Sequence, residues 1–132
     1  MPQILIVEDN PRLSAVMKKG LAKHGLASVV AHDSDEALQQ VQQDTFDLIL
    51  LDLGLPGKDG WTVVRELSQQ GKRPPILVVS ARSDVNETIE QGQYDVNGYI
   101  PKPFKFHDLI AQVQKQLGKQ GLCQPQLNPL PA

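Results

Sequence analysis

The sequence predicts an α/β fold in which a five-stranded parallel sheet is covered by helices on both faces. Short apolar runs alternate five times with longer amphipathic segments along the 132 residues. The first, third and fourth runs lack the polar alternation of a half-exposed strand, which is typical of parallel strands buried on both sides. Right-handed crossovers between successive strands then place all five in one doubly wound parallel sheet.

Composition favours a single domain and excludes several function classes. A chain of 132 residues with 40% hydrophobic content can bury one core without disulfides or a structural metal. The formal net charge of −2, without long runs of like charge, argues against direct contact with nucleic acid or a membrane surface. A lone cysteine, Cys123, cannot form an internal disulfide, and no signal-peptide pattern is present. We therefore expect a cytoplasmic protein.

The strands and the first helix follow from local patterns. Apolar runs predict strands at 4–7, 28–31, 48–51 and 76–79, with a weaker one at 98–100. Asn10 can cap a helix, Pro11 fits its first position and Gly25 can end it. This predicts a helix over 11–24, whose apolar stripe is Leu13, Val16, Met17 and Leu21.

Later helices are marked by the same signals. Asp33 or Ser34 caps the second, and Gly71 ends the third. The fourth, near 84–94, lacks a full apolar stripe, and the fifth covers 105–117. Residues 1–118 then form one domain, and the proline-rich 119–132 read as a linker or disordered tail. The inward positions are Ala37, Leu38 and Val41 in the second helix, Trp61, Val64 and Leu67 in the third, Val85 and Ile89 in the fourth, and Leu109, Ile110, Val113 and Leu117 in the fifth.

Reactive side chains follow four of the five predicted strands. Ligands of an open parallel sheet bind outside the carboxyl ends of its strands. Each residue alone has an ordinary explanation as a turn, a helix cap or a surface lysine. Their coincidence favours a site, because clustered carboxylates repel unless a cation holds them. The residues are Glu8 and Asp9 after the first strand, Asp52 after the third, Ser80 after the fourth and Lys102 after the fifth.

This set of groups suits phosphoryl transfer. Oxygen donors without neighbouring His or Cys favour Mg²⁺, and His24, His32 and His107 show no metal-ligand spacing. Asp52 is the natural nucleophile, and Lys102 and Ser80 can contact phosphoryl oxygens. Glu8 and Asp9 would hold the metal largely through waters, and the metal would bridge Asp52 and the phosphoryl group.

Four segments at these spacings resemble response-regulator receiver domains of two-component systems over residues 3–118. They are ILIVEDN, LILLDLGLPGKDG, VVSAR and YIPKPF, and residues 53–60 most resemble the winged-helix transcriptional class. The resemblance implies a flavodoxin-like (βα)5 fold with strand order 2-1-3-4-5. It further implies that Asp52 accepts a phosphoryl group, that Glu8, Asp9 and the Gly54 carbonyl bind Mg²⁺, that Ser80 and Tyr99 form the switch, and that Lys102 precedes a cis-proline.

The implied partners are a sensor histidine kinase or phosphotransfer protein and an output partner or effector domain. The switching surface would be the face of helix 4, strand 5 and helix 5. Such a domain assists its own phosphorylation and dephosphorylation but has no turnover substrate, so it is not an enzyme in the usual sense. No output domain follows residue 118, so we expect either a stand-alone regulator or a receiver excised from a longer one.

Two other functions are compatible with parts of the pattern. A degenerate receiver would act as an interaction module without phosphorylation, but it would be expected to have lost Asp52, Lys102 or the acidic pair. A phosphohydrolase with an aspartate nucleophile would place a second aspartate two residues later, where this chain has Gly54, which cannot transfer a proton.

Departures from the family pattern concern helix 4 and the dimer face. Gly92 stands where a bulky apolar residue is usual and Asp95 where glycine is usual, so the end of helix 4 is expected to be remodelled or mobile. The charges that pair such receivers are missing, which predicts a monomer. The positions concerned are Thr88, His107, Gln112 and Gln114.

Overall fold

The computed structural model describes residues 2–55, 59–69, 74–92, 94 and 96–119. Strands and helices alternate strictly through these ranges. The five strands form one parallel sheet of order β2-β1-β3-β4-β5, which confirms the predicted fold class and strand order. The elements are β1 (Gln3–Val7), α1 (Pro11–Lys23), β2 (Ala27–Ala31), α2 (Ser34–Gln43), β3 (Leu48–Leu51), α3 (Gly60–Ser68), β4 (Ile76–Ser80), α4 (Val85–Glu90), β5 (Gly98–Pro101) and α5 (Phe106–Lys119).

The sheet separates two apolar cores. All four residues of β3 are buried, and successive side chains enter opposite cores because the side-chain period of a strand is two. Ile49 and Leu51 pack with α2, α3 and the start of α4, whereas Leu48 and Leu50 pack with α1 and α5. The unbroken apolar run therefore reflects a strand covered on both faces, as predicted.

The first two helices begin at capping side chains. The Asn10 side chain accepts hydrogen bonds from the backbone of Arg12 and Leu13, and Asp33 accepts one from Glu36. Asp33 is therefore the cap of α2, and Ser34 is its first residue. One predicted core position is wrong: Val16 is 59% exposed, because it lies at the edge of the α1 stripe.

The fourth helix is shorter than the predicted 84–94. It spans six residues, Val85–Glu90, and only Val85 is fully buried. Gly92 has φ +73°, a left-handed conformation that ends a helix and strongly favours glycine. Beyond it, the Tyr94 ring stacks on Trp61 of α3 with centroids 4.5 Å apart.

The remaining boundaries differ by few residues. Helix α5 continues to Lys119, two residues past the predicted end. The predicted stop at Gly71 and the departure at Asp95 lie outside the described residues. Of the predicted tail 119–132, Lys119 is instead the last residue of α5, and residues 120–132 lie outside the described residues. No helix within the described ranges has the length and apolar character needed to cross a membrane.

Candidate functional site

The carboxyl edge of the sheet brings the predicted site residues together. Glu8 and Asp52 directly follow β1 and β3, Ser80 is the last residue of β4, and Lys102 directly follows β5. Backbone pairing continues past the strands: the Asp52 amide donates to the Val7 carbonyl at 3.0 Å, and the Lys102 amide donates to the Ser80 carbonyl at 2.9 Å. These main-chain hydrogen bonds fix the backbone positions from which the Asp52 and Lys102 side chains extend.

Lys102 joins the two buried carboxylates. Its ammonium lies 2.8 Å from Glu8 Oε1 and 3.3 Å from Asp52 Oδ2. The other oxygen of each carboxylate accepts a backbone N–H, from Asn10 at 3.1 Å for Glu8 and from Gly54 at 3.0 Å for Asp52. Glu8 and Asp52 are only 2% and 8% exposed, so these bonds replace most of their hydration.

Burial and charge act in opposition on this group. Burial raises the pKa of the Glu8 carboxyl, and the nearby Asp52 charge adds to that effect, while hydrogen bonds from Lys102 and Asn10 oppose it. Burial alone would lower the pKa of the Lys102 ammonium, but the hydrogen bond to Glu8 and the charges of Asp52 and Glu8 outweigh it and raise that pKa. The lysine is therefore held firmly in its charged form.

The acidic cluster has the composition of a site for a hard divalent cation. Glu8, Asp9 and Asp52 each offer a carboxylate oxygen, and the three oxygens lie within 4.8 Å of one another. Opposite oxygen ligands of one Mg²⁺ ion are about 4.2 Å apart, so these donors are close to the spacing that a single ion requires. Asp9 is exposed, and no histidine of the described segments belongs to the cluster. The residues present therefore fit Mg²⁺.

Two further predicted features lie at this edge. The Lys102–Pro103 peptide bond is cis, as the resemblance implied. Gly54 contacts Asp52 through its backbone N–H. The role of the Gly54 carbonyl as a metal ligand remains a prediction.

Ser80 in β4 and Tyr99 in β5 are joined through one loop residue, Arg82. The Ser80 hydroxyl oxygen accepts the backbone N–H of Arg82 at 3.1 Å, so Ser80 does not cap α4. The Tyr99 hydroxyl donates to the backbone carbonyl of Arg82 at 3.2 Å and lies 3.4 Å from that of Ser80. Among the residues that the structure describes, no hydrogen bond joins Ser80 to Asp52.

Sequence reasoning missed a group of charged residues next to this pair. The Arg82 guanidinium forms ion pairs with Asp59 and Asp84 at 3.2 and 3.1 Å. Both aspartates directly precede helices, which in the sequence is the ordinary mark of an N-cap. An N-cap signal does not predict that both aspartates bind one arginine, because Asp59 lies far from Arg82 in the sequence.

Comparison with known proteins places the chain in a family. The family model of the response regulator receiver domain matches residues 4–114. The chain is 37% identical over 115 residues to the transcriptional activator protein IrlR of Burkholderia pseudomallei, covering 87% of this chain and 50% of IrlR. It is 34% identical to the transcriptional regulatory protein HprR of Escherichia coli, covering 87% of this chain and 51% of HprR. The chain thus spans about half the length of these relatives.

Solved structures of response regulators also superpose on this chain. The receiver domain of a Francisella response regulator superposes with a TM-score of 0.84 at 26% identity, covering 91% of this chain and 99% of that one. The response regulator TrrA of Thermotoga maritima, solved in complex with Mg²⁺ and beryllofluoride, superposes with a TM-score of 0.80 at 29% identity, covering 89% of this chain and all of that one. The chain therefore belongs to the response-regulator receiver domains of two-component signal transduction.

Proposed function

We propose that Asp52 accepts a phosphoryl group in a Mg²⁺-dependent reaction. The observation that carries the proposal is the setting of its carboxylate, which is held between the Gly54 N–H and the Lys102 ammonium beside Glu8 and Asp9. A carboxylate fixed in this way presents a nucleophile of defined orientation, which is the main contribution a protein can make to phosphoryl transfer.

Charge balance supports the metal assignment. Three ionised carboxylates and one ammonium leave two net negative charges in a partly buried cluster. A dianionic phosphoryl group cannot approach such a cluster without added positive charge. Mg²⁺ bound by Glu8, Asp9 and Asp52, with the Gly54 carbonyl, would supply that charge and neutralise the phosphoryl oxygens. Lys102 would then turn from the carboxylates towards a phosphoryl oxygen, and Ser80 would donate to another.

The chain's own residues would transmit the event. Ser80 and Tyr99 both hydrogen-bond the β4–α4 loop, so movement of the Ser80 hydroxyl towards Asp52 frees space into which the Tyr99 ring can turn. The responding surface would be the α4, β5 and α5 face. Phosphorylation would shift an equilibrium between two arrangements of this face.

The phosphoryl donor would be a sensor histidine kinase or a phosphotransfer protein. The output partner or effector domain would control transcription, since IrlR and HprR are named as transcriptional proteins. The domain itself would have no turnover substrate. It would assist only the gain and loss of its own phosphoryl group.

Intact-mass spectrometry tests the acceptor. Incubation with acetyl phosphate and Mg²⁺ should add one phosphoryl group to the native protein and none to Asp52→Asn. Asp44→Asn, an exposed isosteric change at the end of α2, is the matched control and should react normally. Addition to Asp52→Asn would overturn the assignment. A native protein that neither binds Mg²⁺ nor reacts would instead support a degenerate receiver that acts only as an interaction module.

The altered dimer face leads to a proposal about assembly. His107 is exposed and lies 3.2 Å from Asp108 of its own helix, and Thr88, Gln112 and Gln114 are uncharged. Without a lattice of complementary charges, we expect the activated domain to remain monomeric at micromolar concentration. Sedimentation velocity with Mg²⁺ and beryllofluoride checks this, and a symmetric dimer through α4 and α5 would contradict it.

A further inference from the structure

One arginine links the segment between β4 and α4 to Asp59, the residue that precedes α3. Arg82 lies between β4 and α4, two residues after Ser80. Its Nε and Nη2 atoms donate to the two oxygens of Asp84 at 3.3 and 3.1 Å, and its Nη1 donates to Asp59 Oδ1 at 3.2 Å. Asp59 belongs to the segment that connects Asp52 to α3. We call Arg82, Asp59 and Asp84 the Arg82 clamp.

The clamp occupies two carboxylates that would ordinarily cap helices. Asp59 and Asp84 hold the N-cap positions of α3 and α4, yet neither side chain accepts a hydrogen bond from its own helix. Asn10 and Asp33 make that bond in α1 and α2. Aspartate is among the best capping residues. While the two carboxylates bind the guanidinium, they do not make the capping hydrogen bonds that aspartate would otherwise provide.

The backbone of Arg82 contacts both switch residues. Its N–H donates to the Ser80 hydroxyl oxygen, and its carbonyl accepts from the Tyr99 hydroxyl. If Ser80 turns towards a group on Asp52, or if the Tyr99 ring moves, one of these bonds must break or the loop must move with it. The side chain of the same residue anchors that loop to Asp59, the residue that precedes α3.

We propose that Arg82 is a positioning residue whose ion pairs with Asp59 and Asp84 hold Ser80 and Tyr99 in the unphosphorylated arrangement. The proposal rests on phosphorylation of Asp52 as the event that draws Ser80 away. When the loop moves, the guanidinium leaves the two carboxylates, which then become able to cap α3 and α4. The caps partly offset the lost ion pairs, so the two arrangements stay close in free energy, as a reversible switch requires.

The expected effect is modest because the clamp is partly exposed. The side chains of Arg82, Asp59 and Asp84 are 38%, 54% and 51% exposed, and ion pairs at such positions contribute little. Loss of the clamp should therefore change the balance between the two arrangements by about two- to fivefold. An effect of that size is measurable as a change in the apparent affinity for a phosphoryl mimic.

Binding of beryllofluoride at saturating Mg²⁺, followed through the Tyr99 ring signals by NMR, tests the clamp. Arg82→Ala should bind beryllofluoride about two- to fivefold more tightly than the native protein, and its unliganded Tyr99 signals should shift towards their bound positions. Asp59→Asn should act in the same direction, and the double variant should bind no more tightly than Arg82→Ala, because Arg82→Ala already removes the ion pair with Asp59. Arg82→Lys should retain only part of the native behaviour. Lysine keeps the positive charge but lacks the planar guanidinium that pairs with both carboxylates.

Lys23→Ala removes the same charge from the exposed end of α1 and should match the native protein. If the native protein binds beryllofluoride and moves Tyr99 while Arg82→Ala and Asp59→Asn bind no more tightly, the clamp is overturned and the proposed function stands. If the native protein shows neither binding nor Tyr99 movement, the proposed function fails, and the clamp fails with it.

Discussion

Two parts of the site differ in how firmly their groups are held. We call Glu8, Asp52 and Lys102 the acceptor side, and Ser80, Tyr99 and the β4–α4 loop the switch side. On the acceptor side, Glu8 and Asp52 are almost fully buried, and each has both oxygens bonded. On the switch side, the Ser80 and Tyr99 hydroxyls hydrogen-bond the backbone of a loop whose anchor, the Arg82 side chain, is partly exposed. The element that follows is α4, which has six residues and one fully buried side chain.

This difference separates chemistry from response. Phosphoryl transfer needs donors and acceptors held to within a fraction of an ångström, which buried and fully bonded groups provide. A switch needs an element that can rearrange at low cost, and such elements come from the least stable part of a fold. The two needs are met side by side because the short helix α4 connects β4 to the edge strand β5, whereas Asp52 follows β3, the central strand of the sheet.

The largest expected effect comes from truncating one core side chain on each side. Leu50 in β3 is 1% exposed, and Leu50→Ala should lower the free energy of unfolding by about 2–5 kcal/mol. Ile89 in α4 is only partly buried, so Ile89→Ala should cost about 1 kcal/mol. Urea denaturation of the two variants and the native protein measures both losses of unfolding free energy. Equal losses would show that α4 is as firmly packed as the central sheet.

A smaller effect is expected from removing the lysine of the acceptor side. Lys102→Met keeps the side-chain length but leaves Glu8 buried without its ammonium, which should cost about 1–3 kcal/mol without Mg²⁺. Addition of Mg²⁺ should restore part of the loss by supplying positive charge. A variant as stable as the native protein in metal-free buffer would show that the contact contributes nothing to the fold.

The penalty in Lys102→Met should also depend on pH. Burial already raises the pKa of the Glu8 carboxyl in the folded protein, and loss of the ammonium raises it further. The folded variant therefore binds a proton more tightly than the unfolded chain does, so its stability falls as the pH rises through the folded pKa and recovers below the ordinary carboxyl pKa. Denaturation curves at several pH values check the sign. A penalty that grew on acidification would contradict it.

The smallest effect comes from two glycines with nearly the same backbone. Gly25 and Gly92 have φ +75° and +73°, and a Cβ added at either would meet no atom within 4 Å. Alanine should therefore cost about 1 kcal/mol of backbone strain at each position. At Gly25, which ends the long α1, the cost should appear in global stability. At Gly92 we expect local unwinding of α4 to relieve it, so that hydrogen exchange in α4 accelerates while global stability changes less. The same global loss in both variants would refute a weakly held α4.

Most of the fold and the acidic cluster could be predicted from the sequence, for identifiable reasons. Uninterrupted apolar runs report strands buried on both faces, and parallel strands bring their carboxyl ends to one edge, so Glu8, Asp52 and Lys102 had to converge there. The exposure of Val16 was missed because a helical stripe does not show where the neighbouring element ends.

The switch side was predicted less completely because some of its contacts are tertiary. Gly92 marked the end of helix 4 in the sequence, and its left-handed backbone fits that expectation, but the stacking of Tyr94 against Trp61 leaves no periodic signal. The Arg82 clamp is hidden because Asp59 and Asp84 look like ordinary helix caps in the sequence. In the folded protein one guanidinium binds both carboxylates, and neither makes a capping hydrogen bond to its own helix.

Backbone amide chemical shifts with and without Mg²⁺ and beryllofluoride test the central claim most directly, namely that a rigid acceptor side drives a loosely held switch side. Outside the residues that touch the ligand, the largest changes should fall within residues 80–106, which contain the β4–α4 loop, α4 and β5. The amides of β2, the strand at the far edge of the sheet, and of α2, the helix that follows it, should stay nearly unchanged. Changes of equal size across the whole sheet, or changes confined to residues 8, 9 and 52, would contradict the account.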